Sequence, residues 1–261
     1  MGQVQIDTDD TVVTITLDDP RTLNAMDEAM ARGLREAIRF AADPKQGFRC
    51  LVLTGAGRGF CSGGSVGLMT GDHDRATSDR ISLGTHHHYV MKQLKNLPYP
   101  VITAVNGPAA GLGFSYALAG DLIVAARSAY FLAAFRNVGV SPDGGISWVL
   151  PKLIGWARAK ELLLLGNRLP AEQALAWGLV NRVYEDDTFT ENTMRLARKV
   201  AGGPTVALGT IRRLAWNGWD LSFEQHLDEE ERLQLQTFAT EDAREGAHAL
   251  MEKRDAIFQG R

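Results

Sequence analysis

The sequence predicts an α/β protein with layers built around a largely parallel sheet, and three observations carry that expectation. Short apolar runs suited to buried strands alternate with amphipathic helical stretches through the first half of the chain. Two of those runs, RCLVLT and VITAV, lead into glycine-rich loops, GAGRGFCSGGSVG over residues 55–67 and NGPAAGLGF over residues 106–114. Beyond Pro142 the character changes to short helical segments closed by glycine, and from Pro204 onward the pattern is almost wholly helical and charged.

Taken in order, VQIDTDDTVVTITL alternates apolar and polar residues about an Asp-rich turn, which predicts a β-hairpin over residues 4–17. Over residues 27–42, Met30, Leu34, Ala37, Ile38 and Ala41 recur at three- and four-residue steps, the signature of an amphipathic helix. A strand is expected over residues 50–54, then the first glycine loop, a helix over residues 78–97 ended by Pro98, and a strand over residues 101–105. The second glycine loop is expected to open a helix running to residue 120, ahead of short strands at residues 122–125 and 130–132. The segments GGISWVLPKLIG, RAKELLLLG and PAEQALAWG predict three short helices. Residues 202–261 read as a helical extension to a core of residues 1–201.

Composition narrows the function. The 261 residues are 45% hydrophobic and 23% charged with a net charge of −3, which excludes a disordered or fibrous chain and offers no basic excess for nucleic acid. The longest apolar run, at residues 101–105, falls far short of the ~20 residues a membrane span needs, and no charged-then-apolar leader precedes the hairpin. A cytoplasmic protein with neither nucleic-acid nor membrane partners is therefore expected. Cys50 and Cys61 lack a second metal-type pair, so free thiols are expected rather than a disulfide framework.

The glycine loops admit two readings. They serve as tight strand-to-helix turns, or they let the backbone approach a ligand and aim two main-chain N–H groups at one point. Such a pair holds an oxyanion during acyl or enolate chemistry, where losing one donor costs about 2.7–4 kcal/mol. GAGRGF places glycine at 55, 57 and 59, which fails the GxGxxG fingerprint, and neither loop contains GK[ST], so a nucleotide site is not expected. Asp143, in SPDGG, reads either as a helix N-cap or as a general base whose pKa an apolar pocket would raise. His86, His87 and His88 would point about 100° apart on a helix, so one metal ion cannot take all three, and no metal site is expected. Ser115 and Ser147 lack the GxSxG elbow of a hydrolase nucleophile.

At this point the chain resembles the crotonase group, the enoyl-CoA hydratase/isomerase superfamily. The resemblance rests on LDDPRTLNAM, GRGFCSGGSV, PVITAVNGPAAGLGFSYALAGDLIVAA, SPDGG, LPKLIGWARAKELLLLG and ALAWGLVNRV, in family order across residues 17–183. It implies a crotonase-like spiral of repeated β-β-α units with a helical C-terminal trimerisation region, and homotrimers or dimers of trimers. It implies an acyl-CoA thioester as ligand, with coenzyme A part of the substrate and no separate cofactor. By position, the N–H groups of Gly64 and Leu112 would form the oxyanion hole, although family hydratases usually carry glycine at the second position. Arg21, Leu23 and Ala25, with Ser62, Gly63, Ser65 and Val66, would contact the CoA nucleotide and pantetheine. Lys253 and Phe258, placed in the last helix, are similar to residues that reach CoA from a neighbouring subunit.

The acid/base positions depart from the hydratase pattern. Where those enzymes carry two glutamates this chain has Ser115 and Phe135, and neither side chain can activate water. Asp143 stands where isomerases of the family carry their single acid, including enoyl-CoA isomerases and the ring-epoxide isomerase of phenylacetyl-CoA degradation. The expectation is a CoA-thioester isomerase that shifts a double bond or rearranges a ring, with Phe135, Phe114 and Leu112 walling Asp143. A hydratase or thioester hydrolase that uses Asp143 to activate water, and a silent CoA-binding subunit, remain open.

Overall fold

The computed structural model describes residues 2–65 and 73–261, with residues 73–83 as backbone alone. Its strands are β1 (Gln3–Asp9), β2 (Val12–Asp18), β3 (Cys50–Gly55), β4 (Val101–Val105), β5 (Ala109–Ala110), β6 (Leu122–Ala126), β7 (Tyr130–Leu132), β8 (Arg168–Pro170) and β9 (Arg182–Tyr184). Six of them form a sheet of order β1-β2-β3-β4-β6-β9, antiparallel in the β1–β2 hairpin and parallel everywhere else. The central strand β4, VITAV, is buried at all five positions, as a parallel strand covered on both faces must be. Such a strand reads as a continuous apolar run, which is why its limits are visible in the sequence.

The β-β-α repeat emerges when the short pairings are added. Each long strand is followed within a few residues by a second, shorter pairing: β3 by the bridges of Cys61 to Ala109 and Gly64 to Met26, β4 by β5, and β6 by β7. These second pairings stack beside the main sheet, ending in the three-stranded set β5-β7-β8. Helices α1 (Glu28–Ala41), α2 (His73–Asn96) and α3 (Leu112–Ala117) return the chain to the main sheet, so successive turns wind as a spiral. Every apolar residue used to predict α1 is buried, and Asp27 caps the helix by accepting from Met30 N at 2.8 Å.

Several elements differ from expectation. The helix after the second glycine loop ends at Ala117 rather than near residue 120, because Thr103 Oγ1 takes the Ala117 carbonyl at 2.6 Å and Asp121 N already donates to Val101 O at 2.8 Å. Strands β5, β8 and β9 have two or three residues each, too few to show alternation. The remaining helices are α4 (Ile146–Ile154), α5 (Trp156–Leu165), α6 (Ala171–Ala176), α7 (Phe189–Ala201), α8 (Thr205–Asn217), α9 (Phe223–Phe238) and α10 (Glu241–Glu252). Lys253 and Phe258 do not lie within the last helix. Lys253 ends α10 in a left-handed conformation, φ 55°, and Phe258 sits in a tail that folds back. That tail is held by the Asp242 carboxylate, which accepts from Gln259 N at 2.6 Å and Gly260 N at 2.8 Å, and by Arg49, whose guanidinium donates to Phe258 O. No helix among the described residues is long and apolar enough to cross a membrane.

One buried ion pair joins α8 to the sheet. Arg212 Nε meets Asp121 Oδ2 at 2.7 Å, while its other nitrogens donate to the carbonyls of Leu94, Lys95 and Leu97 at the end of α2. Asp121 also accepts from Val101 N and Trp216 Nε1. Removing one partner strands the other charge away from water, so Arg212→Ala is expected to cost about 3 kcal/mol in urea unfolding. The loss of an exposed pair such as Arg198 with Asp9 should cost well under ~1 kcal/mol by the same measurement.

Candidate functional site

The two glycine loops come together through a third segment. Residues 60–65 run between the 19–26 turn on one side and residues 108–110 on the other. Cys61 N donates to Pro108 O and Ala110 N to Cys61 O, while Ser62 N donates to Leu23 O, Met26 N to Gly63 O and Ser65 N to Met26 O. In a parallel bridge of Gly64 with Met26, the neighbours of Gly64 make the bonds and its own N–H points away from Met26. That direction is the side on which the second loop lies: a methyl on Gly63 would stand 3.5 Å from Leu112 N and 2.8 Å from Ala110 O. Leu112 opens α3, so its N–H is one of the helix's free donors. Among the described residues, nothing lies within 4 Å of where a side chain on Gly64 would begin, which leaves an opening there. The geometry therefore places the Gly64 and Leu112 amides at neighbouring loops beside that opening.

The turn that carries Arg21, Leu23 and Ala25 is organised by a residue sequence reasoning passed over. Asn24 is fully buried and left-handed, φ 60°, and its amide nitrogen donates to Ala56 O at 3.0 Å, Gly59 O at 2.8 Å and Phe60 O at 3.3 Å. Its oxygen accepts from Asp19 N at 2.8 Å. One side chain thus ties the 19–25 turn to the first glycine loop, and asparagine tolerates the left-handed backbone that this requires. Its signal in the sequence was a lone Asn inside a Pro- and Asp-rich turn. Ser62 Oγ adds a bond to Thr22 O at 2.8 Å. Arg21 is exposed and pairs with Asp19, Leu23 and Ala25 are half-buried, as are Ser62 and Ser65, and Gly63 is buried. Val66 lies outside the described residues.

Asp143 does not cap α4. The helix begins at Ile146 with Gly145 as its cap residue, φ 83°, and no side chain bonds its free N–H groups. The carboxylate is exposed, yet protein packed around the loop pushes its pKa above the ordinary carboxylate range by desolvation, with His88 pulling it back to a lesser degree. Among the described residues no other carboxylate acts on it. Leu112 and Ser115 of α3 pack against the adjoining Gly144, and Phe114 is buried behind them. Phe135, also buried, supports the loop from the turn at Ala134–Val138 by accepting from Val140 N at 3.1 Å.

The histidine run separates as helical geometry requires. His86 Nε2 lies 3.3 Å from Glu28 Oε1, His87 is buried with Nδ1 2.6 Å from the Tyr116 hydroxyl, and His88 is exposed on the Asp143 side. Among the described residues no group of three or more His, Cys, Asp or Glu side chains is placed to hold a metal ion. Cys50 and Cys61 are free and buried, and burial pushes both thiols up to about 12. The tail residues Lys253 and Phe258 are not brought to Asp143 by any described contact within the chain. Two cavities, of about 760 Å³ and about 620 Å³, border α8 and include none of the expected site residues.

Comparison with known proteins finds one family. The enoyl-CoA hydratase/isomerase family profile matches residues 7–261. A 1,2-epoxyphenylacetyl-CoA isomerase of Escherichia coli is 40% identical over 251 residues, covering 96% of this chain and 95% of that protein. A carnitinyl-CoA dehydratase of Salmonella typhimurium is 32% identical over 255 residues, covering 96% and 95%. Among solved structures, an enoyl-CoA hydratase from Bacillus anthracis superposes with a TM-score of 0.92 at 29% identity, covering 99% of this chain and 100% of that one.

Proposed function

The chain belongs to the enoyl-CoA hydratase/isomerase family, with the crotonase fold, and from that premise we propose that it is an acyl-CoA isomerase with Asp143 as its acid/base. The observation that carries this reading is a carboxylate on which, among the described residues, no other carboxylate acts. Asp143 is spared from helix capping and shifted toward neutral pH, and Ser115 and Phe135 occupy the two positions where a hydratase carries glutamate.

In the proposed reaction the Gly64 and Leu112 amides donate to the thioester oxygen. The α or γ proton of an acyl-CoA is only weakly acidic, and these donors stabilise the enolate formed when it leaves. The Asp143 carboxylate takes that proton and returns it at another carbon, which moves a double bond, or reorganises a strained ring, without net loss of atoms. One carboxylate suffices because the same proton leaves and returns. Arg21, Leu23, Ala25, Ser62, Gly63, Ser65 and Val66 are proposed to hold the CoA portion, and Lys253 and Phe258 to reach it from a neighbouring copy. Exposed Phe223, Phe238, Leu250 and Met251 favour self-association involving residues 202–261, because isolated chains rarely leave such large apolar groups together in water.

The exposure of Asp143 supports a second reading, a hydratase in which this carboxylate activates water. Products separate the two. Incubated with a 3-enoyl-CoA, a 2-enoyl-CoA and a ring-epoxide CoA thioester, an isomerase yields products of unchanged mass from the first or third. A mass gain of one water from the 2-enoyl-CoA alone would replace the isomerase reading with the hydratase one.

A further inference from the structure

We propose that Ser115 is the positioning residue that fixes where the Asp143 carboxylate stands, a proposal resting on Asp143 being the acid/base. Ser115 is fully buried on α3, and its Oγ donates to the Asp143 carbonyl oxygen at 2.9 Å. The next residue, Gly144, is left-handed, φ 60°, and lies so close that a methyl on it would stand 2.6 Å from Ser115 Cβ, 3.1 Å from its Oγ and 3.0 Å from Leu112 Cδ1. The 143–144 peptide is therefore laid directly on two residues of one short helix.

That helix also begins with the Leu112 amide. The carboxylate that moves the proton and an amide that steadies the resulting charge are thus referred to Ser115 and Leu112, three residues apart on one helix, rather than held across a free loop. The helix is itself pinned. Tyr116 bonds His87 on α2 and the Ala117 carbonyl accepts from Thr103 on β4. Burial pushes His87 down to about 4 and Tyr116 well up, so this anchor stays neutral through the working pH range. A methyl on Gly144 has no room unless the 143–144 peptide lifts off α3, and lifting that peptide displaces Asp143.

The test uses the full-length protein, a 3-enoyl-CoA as probe, and three variants: Ser115→Ala, Asp143→Asn and the double substitution. Loss of a positioning bond displaces the reacting group by a fraction of an ångström, so Ser115→Ala should lower kcat about 10- to 100-fold with KM within about twofold and a cooperative unfolding transition retained. Its acid limb in the pH profile of kcat should move. On the Asp143→Asn background the added Ser115→Ala should change the residual rate by less than about twofold, since its route to the chemistry is already gone. An unchanged kcat in Ser115→Ala, or an equal fall on both backgrounds, overturns the positioning role. Full activity in Asp143→Asn overturns the acid/base reading, and this proposal with it. If Ser115→Ala does not fold, Ser115→Cys keeps the shape with a weaker donor and should give an intermediate kcat; parental kcat there overturns the proposal.

Discussion

Asp143→Asn is expected to lower kcat/KM for isomerisation by about 10²–10⁴-fold, the range supplied by a positioned general base, while CoA binding stays within a few-fold of the parent. The substitution keeps the shape of the side chain and removes its basicity. Because no hydrogen bond of α4 depends on the carboxylate, the fold should not respond, and thermal unfolding should report a shift of only a degree or two. A residual rate should survive, since the Gly64 and Leu112 amides would still polarise the thioester. The pH profile gives an independent check. Desolvation raises the Asp143 pKa because it disfavours the charged form, and the base is that charged form. Activity in the parent should therefore be present above the raised pKa and lost as pH falls through it, with the limb above the ordinary carboxylate range. Asp143→Asn should flatten that limb. A parental profile level down to the usual aspartate range, or an unaltered limb in the variant, would assign the base elsewhere.

Legibility in the sequence followed the length of each feature's physical signature. Strands β3 and β4 and helix α1 were readable because burial on a fixed face imposes a period that several residues repeat. The pairings that turn a layered sheet into a spiral were not, because Ala109–Ala110 or a single bridge at Cys61 contains no period at all. The same contrast holds at the site. The glycine loops announce close backbone approach, but the direction of the Gly64 amide depends on which neighbours of Gly64 bond Met26, a relation between segments nearly forty residues apart. Asn24, His87 and Tyr116 act across 32 to 36 and 29 residues respectively, and each looks ordinary in its own stretch of chain. Asp143 was ambiguous for a different reason. An aspartate before two glycines at a helix start satisfies both the capping rule and the general-base rule, and the observed start of α4 at Ile146 removes the first.

Gly113→Ala should be a severely disruptive single-methyl change, acting on fold and chemistry together. Gly113 is the second residue of α3, where alanine would ordinarily be the better helix former by ~1 kcal/mol. Here helix propensity loses to close approach. A methyl at Gly113 would be driven into the Cys61 carbonyl oxygen and would stand 2.8 Å from both the Cys61 carbonyl carbon and Cβ. The obstructing atoms are backbone, and the same carbonyl already accepts from Ala110 N at 2.9 Å, so no side-chain rotation can relieve the contact. Relief requires α3 to move away from residues 60–64, which parts the loop carrying Gly64 from the helix carrying Leu112. Overpacking of this kind commonly costs 1–3 kcal/mol. Against a backbone carbonyl at the centre of the ladder we expect at least about 4 kcal/mol, read from urea unfolding. In whatever fraction folds, misplacing one amide of the pair should lower kcat a further ~10²-fold, with an acid limb still present because Asp143 keeps its carboxylate. The contrast with Asp143→Asn is diagnostic. One variant should be stable, slow and flat in pH, the other unstable and slow with its pH dependence intact. A Gly113→Ala protein as stable and active as the parent would mean that the two glycine loops do not meet as described.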